Sequence, residues 1–172
     1  LAIGKRVAEY RKREEPVPAG LAVLNHTADL LVFRNVRRLL GIDRCRWLCT
    51  SAAPISPDLI DWYWALNRPM YEAYGQTECS AIATANTAGG CRIGSVGRPA
   101  SGVEIKLSGE GEVLIRSPGV IQGYWKQPDK TAETIIDGWL HTGDVGRIDD
   151  DGYLYIVDRM KDIIITAGGK NI

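Results

Sequence analysis

Long apolar runs, net charge and metal-ligand spacing are all missing from this sequence of 172 residues. No stretch approaches the roughly 18–20 consecutive apolar residues that a membrane-spanning helix requires, although 45% of the residues are hydrophobic. Twenty-one basic residues balance 21 acidic ones, so no overall field favours nucleic acid or an anionic membrane. These absences argue against a nucleic-acid-binding or membrane-spanning protein, and peripheral membrane contact stays open.

Cysteine is scarce and scattered. The four thiols form no C-x-x-C pair and lie far from both histidines: Cys45, Cys49, Cys79 and Cys91. This spacing argues against a zinc site, and thiols without a disulfide framework are typical of a reducing compartment. The first residues, LAIGKR, lack the charged-then-apolar layout of a secretory signal. We therefore expect a cytoplasmic location.

The first half of the chain has the pattern of helices alternating with short strands. Residues 2–13 have helical apolar spacing, and Asp29 is expected to cap a second helix with apolar positions Leu30, Phe33, Val36, Leu39 and Leu40. A strand over 46–49, a helix over 57–66 and a strand over 70–73 follow. This order predicts the end of a parallel α/β layer.

Beyond residue 80 the pattern changes to glycine-punctuated short alternating runs. Residues 103–107 and 112–116 alternate apolar and polar side chains. Such runs predict an antiparallel barrel or a distorted antiparallel sheet. The predicted class is therefore α/β, with a parallel layer followed by an antiparallel, barrel-like subdomain.

The segment Tyr74-Gly75-Gln76-Thr77-Glu78 places an aromatic face, a hydroxyl and a carboxylate within five positions. An aromatic ring stacks on a base, a hydroxyl donates to a phosphate oxygen, and a carboxylate binds Mg²⁺. Gly75 allows a close backbone approach to a ligand. Taken alone, the pentapeptide is equally well explained as an ordinary turn after a strand.

Four segments together resemble the adenylate-forming enzymes, relatives of firefly luciferase and of the adenylation domains of peptide synthetases. They are residues 51–54 (SAAP), 74–78 (YGQTE), 138–144 (GWLHTGD) and 158–161 (DRMK). Their order and approximate spacing are similar to those of the acyl-CoA synthetases. Connecting residues 94–99, 123–128 and 163–172 are similar to the long-chain fatty acid branch.

The resemblance implies a domain organisation. Residues 1–85 would end the α/β part of a large AMP-binding domain, residues 86–158 would form its barrel-like subdomain, and residues 159–172 would hold the hinge and the start of a small C-terminal domain. The family's phosphate loop and its C-terminal lysine are not found in this sequence. The chain is therefore expected to be an internal piece of a longer enzyme and inactive alone.

The resemblance also implies an activity, that of a long-chain fatty acyl-CoA ligase that forms AMP. A fatty acid carboxylate attacks the α-phosphorus of ATP, giving an acyl-adenylate and pyrophosphate, and the thiol of coenzyme A then displaces AMP. The implied cofactors and co-substrates are ATP/AMP, Mg²⁺ and coenzyme A. Small residues after Glu78, up to Ala88, would line an acyl tunnel.

Roles for individual residues follow from the same resemblance. Tyr74 would stack on adenine, and the opposite wall would be formed by Ser51, Ala52, Ala53 and Pro54. Thr77 would bind the α-phosphate and act with Glu78, the Mg²⁺ ligand, as the catalytic pair.

The remaining implied roles concern the ribose and the hinge. Asp144 would accept hydrogen bonds from both ribose hydroxyls, Arg159 would hold ribose or phosphate, and Lys161 would be the hinge. Two alternatives stay open: a ligase for an aryl or amino acid, and a non-catalytic nucleotide-binding module on the same scaffold. Chain-length preference and oligomeric state do not follow from the sequence.

Overall fold

A computed structural model describes residues 1–159 of the chain. It divides into two compact units: Leu1–Glu72 with Asn86–Gly94, and Ala73–Ala85 with the residues from Ser95 onward. The predicted hinge, including Lys161, lies outside the described residues apart from Arg159. The predicted division at residues 85 and 158 stays a prediction.

The first unit is mostly helical. Its helices are α1 (Ala2–Lys12), α2 (Ala19–Ala28), a π-helical segment (Asp29–Phe33), α3 (Arg34–Leu39) and α4 (Pro57–Ala65). Proline at the start of α4 suits a position whose backbone N–H has no partner within the helix. Gly41, with φ of +73°, follows α3 and ends the helix in the left-handed conformation that glycine tolerates.

Two parallel strands complete the first unit. Strand β1 (Leu48–Thr50) pairs with β2 (Met70–Tyr74), with Leu48 opposite Met70. Side chains from α1, α4 and β2 form the core, and the indole N–H of Trp64 donates to the carbonyl of Met70 at 3.0 Å. The predicted strand–helix–strand order is therefore confirmed.

The expected start of the second helix is wrong. Helix α2 begins ten residues before Asp29, after Pro18, and Asp29 lies within continuous helical structure. Its carboxylate accepts hydrogen bonds from the Arg37 guanidinium and the Asn67 amide rather than from a helix N-terminus. Of the predicted apolar positions only Phe33 is buried, and Leu39 is 88% exposed.

The second unit is built from antiparallel strands. After the last residues of β2 come a 3₁₀ turn (Thr77–Cys79), β3 (Thr84–Ala85), β4 (Arg98–Pro99), β5 (Glu104–Leu107), β6 (Glu112–Arg116), α5 (Pro128–Thr134), β7 (Ile135–Ile136), β8 (Trp139–Ile148) and β9 (Leu154–Arg159). Ala73 and Tyr74 of β2 pair with β3, and β3 pairs with β4. Strand β8 pairs with β6, β7 and β9, and β5 pairs with β6.

The core of the second unit lies along β6, β8 and β9. Val113, Ile115, Leu140 and Leu154 are fully buried there. Val113 and Ile115 come from one of the alternating runs that predicted strands, and they share a side because every second side chain of a strand faces the same way. The α/β class with an antiparallel β region is confirmed. Among residues 1–159, the strand pairings include none that closes the sheet into a barrel.

Candidate functional site

The carboxylate of Asp144 is the centre of a polar cluster in the second unit. Asp144 lies on β8 directly opposite Arg159 on β9, while Tyr74 ends β2 and Gln76 follows it. The strands therefore bring together side chains that lie 70 positions apart in sequence. Only 4% of Asp144 is exposed, so its charge depends on protein donors.

Three side chains donate hydrogen bonds to this carboxylate. The Tyr74 hydroxyl and the Gln76 amide donate to Oδ2 at 2.6 and 2.9 Å, and the Nε of Arg159 donates to Oδ1 at 3.1 Å. Arg159 is itself 68% exposed, so one face of the ion pair reaches water. Burial, and then the hydrogen bond to Asp144, raises the pKa of Tyr74, which keeps its hydroxyl protonated as a donor.

The backbone before Asp144 is held in shape by β6. The Thr142 hydroxyl donates to the carbonyl of Val113 at 2.7 Å and accepts from the Asp144 N–H at 3.1 Å. Glu112 accepts from the N–H of Gly143 at 2.8 Å through one oxygen and lies 2.8 Å from His141 Nδ1 through the other. Gly143 has a φ of +71°, a conformation that favours glycine. The GWLHTGD segment is thus a shaped bulge that presents Asp144.

Gly75 is required by a close approach of the chain to itself. A Cβ at this position would stand 2.1 Å from the carbonyl oxygen of Ala81, which is backbone. Ser80 and Ala81 follow with φ of +61° and +83°, a conformation that costs energy for residues with a Cβ. The turn after β2 is therefore tightly constrained by a close approach of the chain to itself.

Glu78 and Thr77 lie in the 3₁₀ turn beside this constrained backbone. Glu78 is half-buried and Thr77 is exposed, and the Tyr124 hydroxyl donates to Oε1 of Glu78 at 2.8 Å. Burial, followed by this hydrogen bond, raises the pKa of Tyr124. Within residues 1–159 no three His, Cys, Asp or Glu side chains gather into a metal site. Mg²⁺ does not need such a group, because it binds through one or two carboxylates together with substrate phosphates.

Residues 51–54 belong to the first unit and follow β1. All four residues are exposed, and Ala52 has a φ of +71°. Left-handed backbone at a residue other than glycine is costly and is concentrated at ligand sites. The segment after Glu78, which the resemblance assigns to an acyl tunnel, differs in burial along its length. Cys79 and Ala83 are buried in the core, while Ser80, Ala81 and Ile82 are exposed.

Comparisons with known proteins place this geometry in a family. The model of the AMP-binding enzyme family matches residues 12–125. The chain belongs to this family. It is 44% identical over 153 residues to the long-chain-fatty-acid–CoA ligase ACSBG2 of Xenopus laevis, covering 86% of this chain and 21% of that protein. It is 40% identical over 144 residues to the long-chain-fatty-acid–CoA ligase FadD15 of Mycobacterium bovis, covering 84% and 24%.

Solved structures of AMP-binding enzymes have the same fold. A fatty acyl CoA synthetase of Mycobacterium tuberculosis superposes with a TM-score of 0.65 at 33% identity, covering 78% of this chain and 31% of that one. The Bacillus subtilis O-succinylbenzoate coenzyme A synthetase, in complex with ATP and a magnesium ion, gives 0.69 at 28% identity, covering 80% and 32%. The chain thus spans about a quarter of the length of the curated relatives it matches.

Three contributors to the polar contacts around Asp144 and Glu78 were not assigned from the sequence. Gln76 lies inside the YGQTE segment but donates sideways to Asp144, Tyr124 reaches Glu78 from 46 positions away, and Glu112 shapes the loop at Gly143. Their partners are distant in sequence. A single sequence therefore carries no signal for these contacts beyond the polar residue type.

Proposed function

We propose that the protein carrying this chain is an ATP-dependent, AMP-forming ligase that joins long-chain fatty acids to coenzyme A. The proposal is supported by the meeting of Tyr74, Gln76 and Arg159 at one buried carboxylate. It is also supported by the names of relatives at 40–44% identity. In the first step the fatty carboxylate attacks the α-phosphorus of ATP and releases pyrophosphate. In the second the thiol of coenzyme A displaces AMP.

In this proposal the adenosine binds beside Tyr74 and Asp144. The Tyr74 ring is held in one plane, because it packs on the core while its hydroxyl donates to Asp144. Such a ring loses little freedom when it stacks on adenine. A carboxylate offers about four acceptor positions. Three donors already occupy three of these positions on Asp144, which leaves one. We therefore assign one ribose hydroxyl to Asp144 while the bond from Tyr74 persists, and two only if that bond opens.

The phosphate end of ATP is assigned to Thr77 and Glu78. The exposed Thr77 hydroxyl is free of the core and suits a phosphate oxygen as acceptor. Glu78, oriented through Oε1 by Tyr124, would hold Mg²⁺. When bound, Mg²⁺ neutralises phosphate charge that would otherwise repel the attacking carboxylate.

The other expected residues keep their proposed roles. Residues 51–54 keep their proposed role in binding adenine, Gly75 keeps that of a close backbone approach to the ligand, and Arg159 that of binding ribose or phosphate. Lys161 is proposed as the hinge. Coenzyme A enters as the second-step substrate.

A ligase for an aryl acid is the second candidate. An anthranilate CoA ligase in complex with anthranoyl-AMP superposes with a TM-score of 0.67 at 29% identity. The fatty-acid–CoA ligases match at higher identity and over more of this chain. This difference favours a fatty acid as substrate.

Acid-dependent exchange of labelled pyrophosphate into ATP tests the proposal. We expect exchange with long-chain fatty acids by the protein that carries this chain, and weaker exchange with aryl acids. Changing Asp144→Asn should lower the exchange rate about 10- to 100-fold, since hydrogen bonds to charged groups contribute about 1.5–3 kcal/mol. Arg159→Gln changes an exposed side chain, so it tests the same site with little risk to folding.

Asp150→Asn serves as the matched control, because Asp150 is an exposed aspartate in the turn between β8 and β9. Its exchange rate should match that of the unchanged protein. Exchange that is absent with every acid would refute the ligase. Exchange that persists undiminished in both Asp144→Asn and Arg159→Gln would refute the adenosine site described above.

A further inference from the structure

A cavity of about 430 Å³ opens among the helices of the first unit. We call it the arginine cavity, and its lining is Val7, Arg11, Val17, Ala22, Asn25, His26, Asp29, Arg37, Asn67 and Arg68. All these residues belong to the first unit. None of them belongs to the residues assigned to ATP, Mg²⁺ or acyl binding above. Its volume is in the range of small-molecule sites.

The charges around the arginine cavity do not balance. Three arginines face one carboxylate, which leaves two formal positive charges. That carboxylate, Asp29, is already used: it binds both terminal nitrogens of Arg37 and accepts from the Asn67 amide at 2.7 Å. The cavity therefore has an excess of cations whose only acid is engaged.

Arg11 and Arg68 are the two cations of the cavity that are held by neutral groups, while Asp29, and for Arg68 also Asp43, acts on them at longer range. Arg11 donates to the side-chain oxygen of Asn67 at 2.9 Å, and Arg68 donates to the carbonyls of Ile42 and Asp43 at 3.2 and 2.6 Å. Among residues 1–159, neither forms an ion pair with a carboxylate. Burial, and then repulsion from Arg37, lowers the pKa of Arg68, as expected where cations crowd together.

Two unsatisfied polar atoms lie in the same place. In the part of the chain that the structure describes, the buried side-chain atoms without a hydrogen-bond partner are Nε of Arg37 and Oδ1 of Asn25. Both residues line the arginine cavity. Leaving buried polar atoms unpaired is costly, so the site is one acceptor and one donor short.

We propose that the arginine cavity binds a phosphate group. Hydrogen phosphate carries unprotonated oxygens that accept from Arg11, Arg68 and the Nε of Arg37. It also carries one P–OH that donates to Oδ1 of Asn25. The Nε and Oδ1 atoms are both buried, so direct contact with the phosphate requires a small rotation of the Arg37 and Asn25 side chains. A phosphomonoester with a protonatable oxygen offers the same groups.

Ordered water alone is the competing occupant. Water both donates and accepts, so it satisfies the two unpaired atoms. It does not neutralise the charges of Arg11 and Arg68. The measured affinity for an anion therefore separates the two occupants.

Calorimetric titration of the whole chain with inorganic phosphate, at low ionic strength and without nucleotide, tests the proposal. We expect saturable binding with a Kd on the order of 1 mM or tighter, and sulfate, which has the same shape but no proton to donate, should bind severalfold more weakly. Saturating phosphate, but not chloride, should also shift the NMR signal of the Arg37 Nε–H. Glycerol phosphate in place of inorganic phosphate tells whether a phosphomonoester is accepted.

The sharpest variant is Arg11→Gln, because Arg11 is exposed and lies on the same helix face as the cavity. It should weaken phosphate binding about five- to tenfold. Arg13→Gln removes an exposed charge of the same helix end outside the cavity lining and should change the Kd less than twofold. Binding that is absent, equal for phosphate and sulfate, or equally weakened by both variants overturns the proposal. None of these outcomes bears on the ligase activity, which is assayed by pyrophosphate exchange.

Discussion

Tyr74 is a single residue with two separable parts. Its hydroxyl donates to a carboxylate that is almost fully buried, at 2.6 Å, while its ring packs on the core of the second unit. The pKa of Tyr74 is raised by burial, so the hydroxyl remains a donor through the neutral range. The ring face is the part proposed to meet adenine.

Substitutions at Tyr74 should separate these parts. Tyr74→Phe removes one donor from Asp144 and should lower the free energy of unfolding by about 1–3 kcal/mol, with AMP affinity changed less than about threefold. Tyr74→Ala removes the face as well and should weaken AMP binding tenfold or more, since stacking contributes about 1–3 kcal/mol per base. Thermal unfolding and calorimetry with AMP measure the two effects in the protein that carries this chain.

The half-buried Tyr10 offers a comparison in the first unit, where Tyr10→Phe should leave both quantities unchanged. If Tyr74→Phe weakens AMP binding as much as Tyr74→Ala does, the ring face is not the binding surface. That result would assign the contribution of Tyr74 to its hydroxyl and not to stacking of its ring on adenine.

At single residues, sequence predicts chemistry better than contacts. The residue types at positions 74, 77, 78, 144 and 159 suggest a nucleotide site. Tyr74 and Arg159, together with the neighbouring Gln76, do meet at Asp144. Gln76 carries no such signal in the sequence, because a neutral amide has no distinctive chemistry. Its importance comes from the partner that the fold supplies.

Among the elements, the turn from β2 into the 3₁₀ segment has the least freedom. Gly75→Ala would place a Cβ 2.1 Å from the Ala81 carbonyl and 2.9 Å from the Ala83 nitrogen. Both atoms are backbone, so the turn must move. We expect a loss of about 3 kcal/mol or more of unfolding free energy, at the upper end of overpacking costs, measured by denaturant titration.

Gly109→Ala is the matched control in the same unit, because a Cβ there meets nothing within 4 Å. It should change the unfolding free energy by no more than about 0.5 kcal/mol. Equal effects from the two substitutions would mean that the turn after β2 is loose rather than constrained.

Elements whose apolar residues repeat at a regular spacing were predicted correctly. A helix whose sequence contains a cap-like residue in its interior was not. Strands β5 and β6 followed from alternation, and the helix predicted over residues 57–66 is α4. The helix before Gly41 was predicted to begin at Asp29, because aspartate is a favoured N-cap. The cap reading fails because Arg37 and Asn67 bind that carboxylate, contacts that no local pattern records.

For the molecule as a whole, each unit has its own core, and stability in acid should depend on the helical unit. The pKa of Asp29 lies below its ordinary value, mainly because its carboxylate accepts a hydrogen bond from Arg37. A carboxylate with a lowered pKa in the folded state stabilises the fold above its unfolded pKa, and this stabilisation is lost as pH falls through the folded value. Unfolding free energy should therefore fall on acidification from about pH 5 toward pH 3.

Asp29→Asn should remove that dependence and leave the buried Arg37 without its anion. We expect a loss of about 3–5 kcal/mol near neutral pH, with a flatter pH profile, monitored by tryptophan fluorescence, to which Trp64 in the core of this unit contributes. Glu9→Gln, at an exposed carboxylate of α1, should keep the profile of the unchanged chain. A profile as steep in Asp29→Asn as in the unchanged chain would contradict the assignment.

The whole-molecule prediction from sequence was correct in class and limited in detail. Order and spacing of the SAAP, YGQTE and GWLHTGD segments identified the family that residues 12–125 match. The arginine cavity was not foreseen, because its charges come from α1, α3 and the residues after α4. A one-dimensional charge count, which balances to zero, conceals such local excess.

Tyr124 is set at the entrance of α5 by its neighbour. A Cβ on Gly123 would stand 2.7 Å from Thr131, whose hydroxyl accepts from the Tyr124 N–H and donates to Gln127. A residue with a Cβ at position 123 therefore requires the Thr131 side chain, which makes both of these hydrogen bonds, to shift. A substitution at Gly123 would therefore act at a distance. It would displace Tyr124, and through Tyr124 the Glu78 carboxylate that is proposed to hold the metal.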